Sequence, residues 1–141
     1  MDTVRIGNAL EKAIFDFLIE QQNRGQLLLD TQSPKLCTVC WKPKYYCKER
    51  ENEVEFDVSI EVRRKPGLDP QEIIVLECKN YSGNVPETAI TDFSDKLTRI
   101  GRHNTKGFIV VSSALQRGTE KLARSRKIGI VKFDENGCIW F

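Results

Sequence analysis

Two short runs carry residues able to do chemistry together: Asp57 within residues 54–62, and Glu77 with Lys79 within residues 73–80. In the first run Val54, Phe56, Val58, Ile60 and Val62 alternate with Glu55, Asp57, Ser59 and Glu61, the period of a strand with one apolar and one polar face. In the second, Ile74, Leu76 and Cys78 share one face while Ile73, Val75, Glu77 and Lys79 share the other. An acid and an amine thus project from an otherwise apolar strand, which is costly unless they are paired or used. Residues 63–71 are rich in turn formers and charge, and a hairpin loop centred on Gly67 sets Asp57 opposite Glu77. Opposed side chains on one sheet face sit about 5 Å apart at Cβ. Two carboxylates that close repel, and a hard divalent cation such as Mg²⁺, which favours oxygen ligands, relieves the repulsion. With the Lys79 ammonium at its rim, such a site suits metal-dependent hydrolysis. A hairpin salt bridge of Lys79 with Asp57 or Glu77 is the metal-free alternative.

The surrounding chain must hold these groups. A helix is predicted from about residue 3 to 22, with Ile6, Leu10, Ala13, Ile14, Phe17 and Leu18 at helical spacing and Gly25 as its stop. Glu11 falls on the edge of its apolar stripe, a place for a solvated acid or for one used at a site. Residues 36–47, with Cys37, Cys40, Trp41, Tyr45, Tyr46 and Cys47, are predicted as the strand flanking the Asp57 strand, and residues 48–53 as the turn between them. Cys37-x-x-Cys40 invites a zinc reading. A structural zinc site needs four ligands, and only Cys47 nearby and the distant His103 could add to the pair, so packed thiols are the simpler reading. His103, between Arg102 and Asn104, reads as a surface loop residue. After a loop at 80–86, Ala89, Phe93, Leu97 and Ile100 mark a helix ending near Gly101, and residues 108–111 a strand buried on both faces. A helix from about 115 to 127, a strand over 128–133 and a tight Asn136-Gly137 hairpin complete the chain. The order predicts an α/β fold, a mixed central β-sheet flanked by helices, with an αβββαβ core plus a C-terminal helix and hairpin in a single domain spanning residues 1–141.

The 141 residues, 40% hydrophobic and 30% charged, suit one globular domain and argue against disorder. No membrane-length apolar run or signal peptide is legible, and five cysteines without framework spacing read as reduced thiols, so a cytoplasmic location is expected. A net charge of +2 means that any nucleic-acid surface must come from how charge is arranged. Arg117, Lys121 and Arg124 would line one face of the late helix, and Arg63, Arg64 and Lys65 would extend the hairpin loop. Such faces are often merely solvated; flanking the acids, they would bind phosphates.

The constellation of Asp57 and Glu77-x-Lys79 behind a helix carrying Glu11 resembles the PD-(D/E)xK nuclease superfamily. More narrowly, Gly7-Asn8-Ala9-Leu10-Glu11, Phe56-Asp57-Val58-Ser59-Ile60-Glu61, Glu77-Cys78-Lys79-Asn80-Tyr81, Val85-Pro86 and the run from Lys106 to Ser112 resemble the Mrr-type restriction endonuclease domain. The chain departs from that pattern at Glu77, where the family often has Gln, and in its cysteine-rich stretch. The resemblance implies a restriction-endonuclease-like domain and a DNA endonuclease leaving 5′-phosphate ends. It implies Mg²⁺, with Mn²⁺ as a substitute, on Asp57, Glu77 and the backbone carbonyl of Cys78, with Glu11 beside the metal and Lys79 orienting the water or steadying the phosphate. It also counts Tyr81 among the DNA contacts and implies a homodimer or a separate recognition subunit. The alternatives are a junction-resolving nuclease, a non-catalytic DNA- or partner-binding module on the same fold, and a zinc-stabilised interaction domain.

Overall fold

The computed structural model describes residues 3–29, 32–79, 84–101, 104–134 and 137–140, so the expectations resting on Asn80, Tyr81, His103 and Asn136 lie outside the described residues. Helix α1 (Thr3–Asn23) follows the predicted periodicity, and Gly25, at φ 71°, turns the chain away from it. The other elements are β1 (Cys37–Trp41), β2 (Lys44–Cys47), β3 (Asn52–Glu55), β4 (Val58–Val62), β5 (Glu72–Lys79), α2 (Glu87–Ile100), β6 (Thr105–Val111), α3 (Thr119–Ser125), β7 (Ile128–Asp134) and β8 (Gly137–Trp140). Six strands form one mixed sheet in the order β1-β4-β5-β6-β7-β8, while β2 and β3 pair separately. Strands β1, β4 and β5 are antiparallel, β5, β6 and β7 are parallel, and β8 returns antiparallel. This is the expected mixed α/β architecture.

The sheet is apolar on both faces because each face has its own helical layer. Leu10, Ile14 and Leu18 of α1 pack on Val58, Ile60, Ile74, Leu76 and Val110. Ala89, Ile90, Phe93 and Leu97 of α2, with Ala123 of α3, pack on Val75, Ile109, Val111 and Ile130. Fully burying one such aliphatic chain contributes about 1.5–3 kcal/mol, so the two layers together fix which way every residue of β5 points. Gly107 sits where α2 comes nearest: a Cβ there would lie 2.6 Å from Leu97 and 2.8 Å from Phe93.

The structure departs from the predicted elements in two places. The strand expected over 54–62 is broken at Phe56 and Asp57, and its partner at Lys42 and Pro43. Pro43 cannot donate to a ladder and Lys42 turns at φ 50°. The ribbon bends there without coming apart: Lys42 N–H donates to the Asp57 carbonyl and Phe56 N–H to the Pro43 carbonyl, each at 3.0 Å. Beyond the bend, β2 and β3 fold over the α2 layer, so Val54 and Phe56 pack with Phe93 while Val58 and Ile60 face α1. One sequence alternation thus serves opposite faces of the sheet. The Tyr45 hydroxyl, which donates to Glu61 at 3.0 Å and shares a 2.7 Å hydrogen bond with Ser59, ties the folded ribbon back to β4. The second departure is the late helix, which spans only Thr119–Ser125. Its expected first turn is instead drawn into backbone pairing with Val85, which donates to Ala114 at 3.0 Å and accepts from Gln116 at 3.1 Å.

Candidate active site

Strands β4 and β5 pair with Val58 opposite Leu76, the register that the Gly67-centred loop predicts; the ladder ends there, and Asp57, just before β4, meets β5 through its side chain. Asp57 stands at the ribbon's bend, where the chain has just left the β2–β3 extension. Its Oδ2 accepts the Cys78 amide N–H at 2.7 Å and its Oδ1 accepts from Lys42 Nζ at 3.4 Å. Glu77 projects toward α2, is only 6% exposed, and accepts from Lys96 Nζ at 2.7 Å. From the opposite layer Glu11, 8% exposed, hydrogen-bonds the same Lys42 ammonium that reaches Asp57. The sheet's end therefore carries Glu11 and Asp57 on one shared lysine, and Glu77 on Lys96 at the α2 side of β5, where Lys79 also lies.

The electrostatics follow from that crowding. Burial, reinforced by the Asp57 charge and only partly opposed by Lys96 and Lys79, pushes the Glu77 carboxyl up to about 7. Burial likewise raises Glu11, with the Asp57 charge adding to it and the Lys42 hydrogen bond opposing. Burial disfavours the Lys42 ammonium, but Glu11 and Asp57 together outweigh it and its pKa is raised. The Cys78 thiol is pushed well up by burial and by the surrounding acids. A buried carboxyl pushed up by desolvation and by a neighbouring carboxylate marks a candidate functional group on physical grounds.

The donor set suits a hard divalent cation: all-oxygen, anionic and mutually repelling until a positive charge is shared. Among the described residues no three His, Cys, Asp or Glu side chains are already drawn round one point. Lys42 on Glu11 and Asp57, and Lys96 on Glu77, supply the positive charge instead. The expected alternative of a salt bridge from Lys79 is not the pairing found among the described residues. Sequence reasoning missed both lysines. Lys96 carries a weak signal, since it flanks Leu97 on the apolar face of α2 just as Glu11 flanks Leu10; for Lys42 the signal is Pro43, a break in a predicted strand.

Other predicted contacts are dispersed. Arg63, Arg64 and Lys65 follow the far end of β4, six residues and about 20 Å of strand from Asp57 for the nearest of them, so they do not flank the acids. There Arg63 donates to Thr38 at 2.7 Å and Arg64 to Gln71 at 3.1 Å. Lys121 and Arg124 lie exposed on α3, on the α2 side of the sheet toward which Glu77 projects, with Arg124 paired to Glu120 at 2.7 Å. Arg117 precedes the helix, so the three do not share one helical face. Cys37 and Cys47 fall in the α1-side and α2-side cores respectively, which separates two of the proposed zinc ligands by the sheet.

Two solved structures share this fold. One, the crystal structure of a protein of unknown function designated AF1548, aligns with a TM-score of 0.62 at 14% identity, covering 91% of this chain and 61% of that one. The other, a repair endonuclease from Pyrococcus abyssi, aligns with a TM-score of 0.50 at 19% identity, covering 87% of this chain and 46% of that one. This chain therefore spans less than two thirds of either. No curated protein matches the sequence significantly. Residues 42–135, well over half the chain and including Asp57, Glu77 and Lys79, match the Mrr_cat restriction endonuclease family. By that match the chain belongs to the Mrr_cat restriction endonuclease family.

Proposed function

We propose that residues 1–141 form one nuclease domain that hydrolyses DNA phosphodiester bonds with a divalent cation, Mg²⁺ or Mn²⁺ in its place. The observation that carries this reading is Glu77: a carboxyl buried to 6% exposure, next in the chain to the Cys78 amide that Asp57 accepts, and pushed up to about 7 by burial and the Asp57 charge. Asp57 and Glu77 would hold the cation, with Glu11 beside it and the Cys78 carbonyl as an added ligand. When bound, such an ion polarises the phosphate and acidifies a coordinated water. Around it the chain's own groups divide the remaining work. The Cys78 amide fixes one Asp57 oxygen at 2.7 Å, leaving the other to turn toward a ligand. Lys79 orients the attacking water or steadies charge developing on the phosphate oxygens. As water oxygen bonds to phosphorus the P–O3′ bond breaks, leaving a 5′-phosphate and a 3′-hydroxyl. Lys121 and Arg124, with Tyr81, would hold the backbone, and a homodimer or separate recognition subunit would supply the choice of sequence or modification. We assign the domain to the cytoplasm; no helix among the described residues is long and apolar enough to cross a membrane. The test is a nicking assay with Mg²⁺ on unmethylated, methylated and branched DNA. Cleavage of none of them would reject the reading, and cleavage of branched DNA alone would make it a junction-resolving enzyme.

A further inference from the structure

We infer that Lys42 is an internal stand-in cation, holding Glu11 and Asp57 together in the metal-free chain and vacating that place when a divalent cation enters. The inference rests on the proposed nuclease reading and deepens it by assigning a residue that competes for the site. Lys42 Nζ contacts carboxylates from two separate elements, Glu11 of α1 and Asp57 at the ribbon bend. These are oxygens that a shared cation would take, and one carboxylate oxygen cannot give its full charge to both an ammonium and a metal.

The backbone is built to deliver this lysine. Lys42 is a non-glycine residue at φ 50°, immediately before Pro43, a conformation retained only where the surroundings enforce it. What enforces it is Asp57 itself, whose carbonyl accepts the Lys42 N–H at 3.0 Å while its carboxylate accepts the ammonium.

The two lysines of the site differ in their freedom to leave. Lys96 comes from a helix packed on the sheet and lies 4.7 Å over the buried Phe56 ring. The two side chains are similarly exposed, 30% for Lys42 and 26% for Lys96, but the Lys42 ammonium is 5.2 Å from the ring centroid of Trp41, which is 43% exposed where Phe56 is buried. Lys42 can therefore withdraw toward solvent along an aromatic face, where its charge stays close to an incoming phosphate. It is a positioning residue in the metal-free state.

The experiment is calorimetric titration of Ca²⁺ and Mn²⁺ into the intact chain and its Lys42→Met and Lys42→Arg variants. With the competitor gone, Lys42→Met should bind either ion on the order of tenfold more tightly, the scale of one part-buried charge-assisted hydrogen bond. Lys42→Arg, which keeps a cation there, should stay near the native value. If the native chain binds metal and Lys42→Met binds it equally or more weakly, the stand-in role is overturned while the nuclease reading survives. If neither binds metal, both fall together. A second readout covers the case in which Lys42→Met unfolds without metal. Trp41 and Trp140 are the chain's two tryptophans, so Trp140→Phe leaves Trp41 as the sole tryptophan, excited apart from the tyrosines at the red edge of its absorption, with Lys42 intact. Its emission should shift saturably with Ca²⁺ at the calorimetric midpoint, and a flat signal through saturation would overturn the proposal.

Discussion

Replacing Glu77 by Gln should make the metal-free protein more stable at pH 8 and nearly neutral in effect at pH 5. The Glu77 carboxyl ionises at about 7 in the folded chain against 4.5 for an unperturbed glutamate, chiefly because it is buried. Its folded pKa is the higher one, so its contribution is fully present below about 4.5 and is lost as pH rises through 7. At pH 8 the full shift applies, and the ionised Glu77 destabilises the fold by about 3 kcal/mol relative to a neutral group of the same shape. At pH 5 about 1 kcal/mol or less remains. Gln removes the titration but still offers an oxygen to Lys96, which now lies 2.7 Å from the carboxylate. Weakening that contact returns about 1 kcal/mol, which leaves roughly 2 kcal/mol in favour of the variant. In a chain of this size that is a rise in Tm of roughly 4–8 °C. The assay is thermal melting by circular dichroism with a chelator present, native against Glu77→Gln, at both pH values. A variant that melts below the native chain at pH 8, or a difference that does not change between the two, would refute the assignment of Glu77 as a buried and repelled acid.

Asp57→Ala should abolish the upward shift in melting temperature that millimolar Mg²⁺ or Mn²⁺ gives the native chain, because only the folded state assembles the site; an undiminished shift would remove Asp57 from the ligand set. Gly107→Ala should destabilise by about 1–3 kcal/mol, since its Cβ would meet Leu97 at 2.6 Å and Phe93 at 2.8 Å, and chemical denaturation reads this directly. Lys121→Gln with Arg124→Gln should weaken DNA binding regardless of sequence and flatten its salt dependence by up to about two phosphate contacts, whereas Arg63→Gln with Arg64→Gln, at the remote end of β4, should leave both unchanged in gel-shift titrations.

Strand period alone specified both faces of β5, and the charge-rich loop around Gly67 specified its register with β4, Val58 opposite Leu76, which brings the Asp57 charge within reach of Glu77. Periodicity gave Glu11 only as an acid on the edge of an apolar stripe, because a helix period does not say which end of which strand it crosses, and the expectation of Glu11 beside a metal came from the family resemblance. The bend at Asp57 was hidden for a physical reason. Val54 to Val62 alternate without interruption, and the break is dictated from the partner segment, where Pro43 cannot donate and Lys42 turns. The same blind spot concealed Lys42 as a member of the site. The late helix was overextended because its apolar spacing continues through Leu115, yet pairing with Val85 claims that backbone. That shortening removed Arg117 from the basic face. The two lysines on the acids are tertiary facts: each lies far along the chain from its carboxylates, and no local period encodes the contact.

The proposed hydrolytic centre is Asp57, Glu77 and Lys79. The most direct measurement is the nicking rate on one DNA substrate in Mg²⁺ for the native chain and for Lys79→Ala, paired with Ca²⁺ binding and gel-shift affinity of both. The native chain should nick, and Lys79→Ala should lose nicking by on the order of a hundredfold or more while keeping its hold on metal and DNA. A native chain that binds DNA and never nicks it, or a Lys79→Ala variant that nicks at the native rate, would contradict the account.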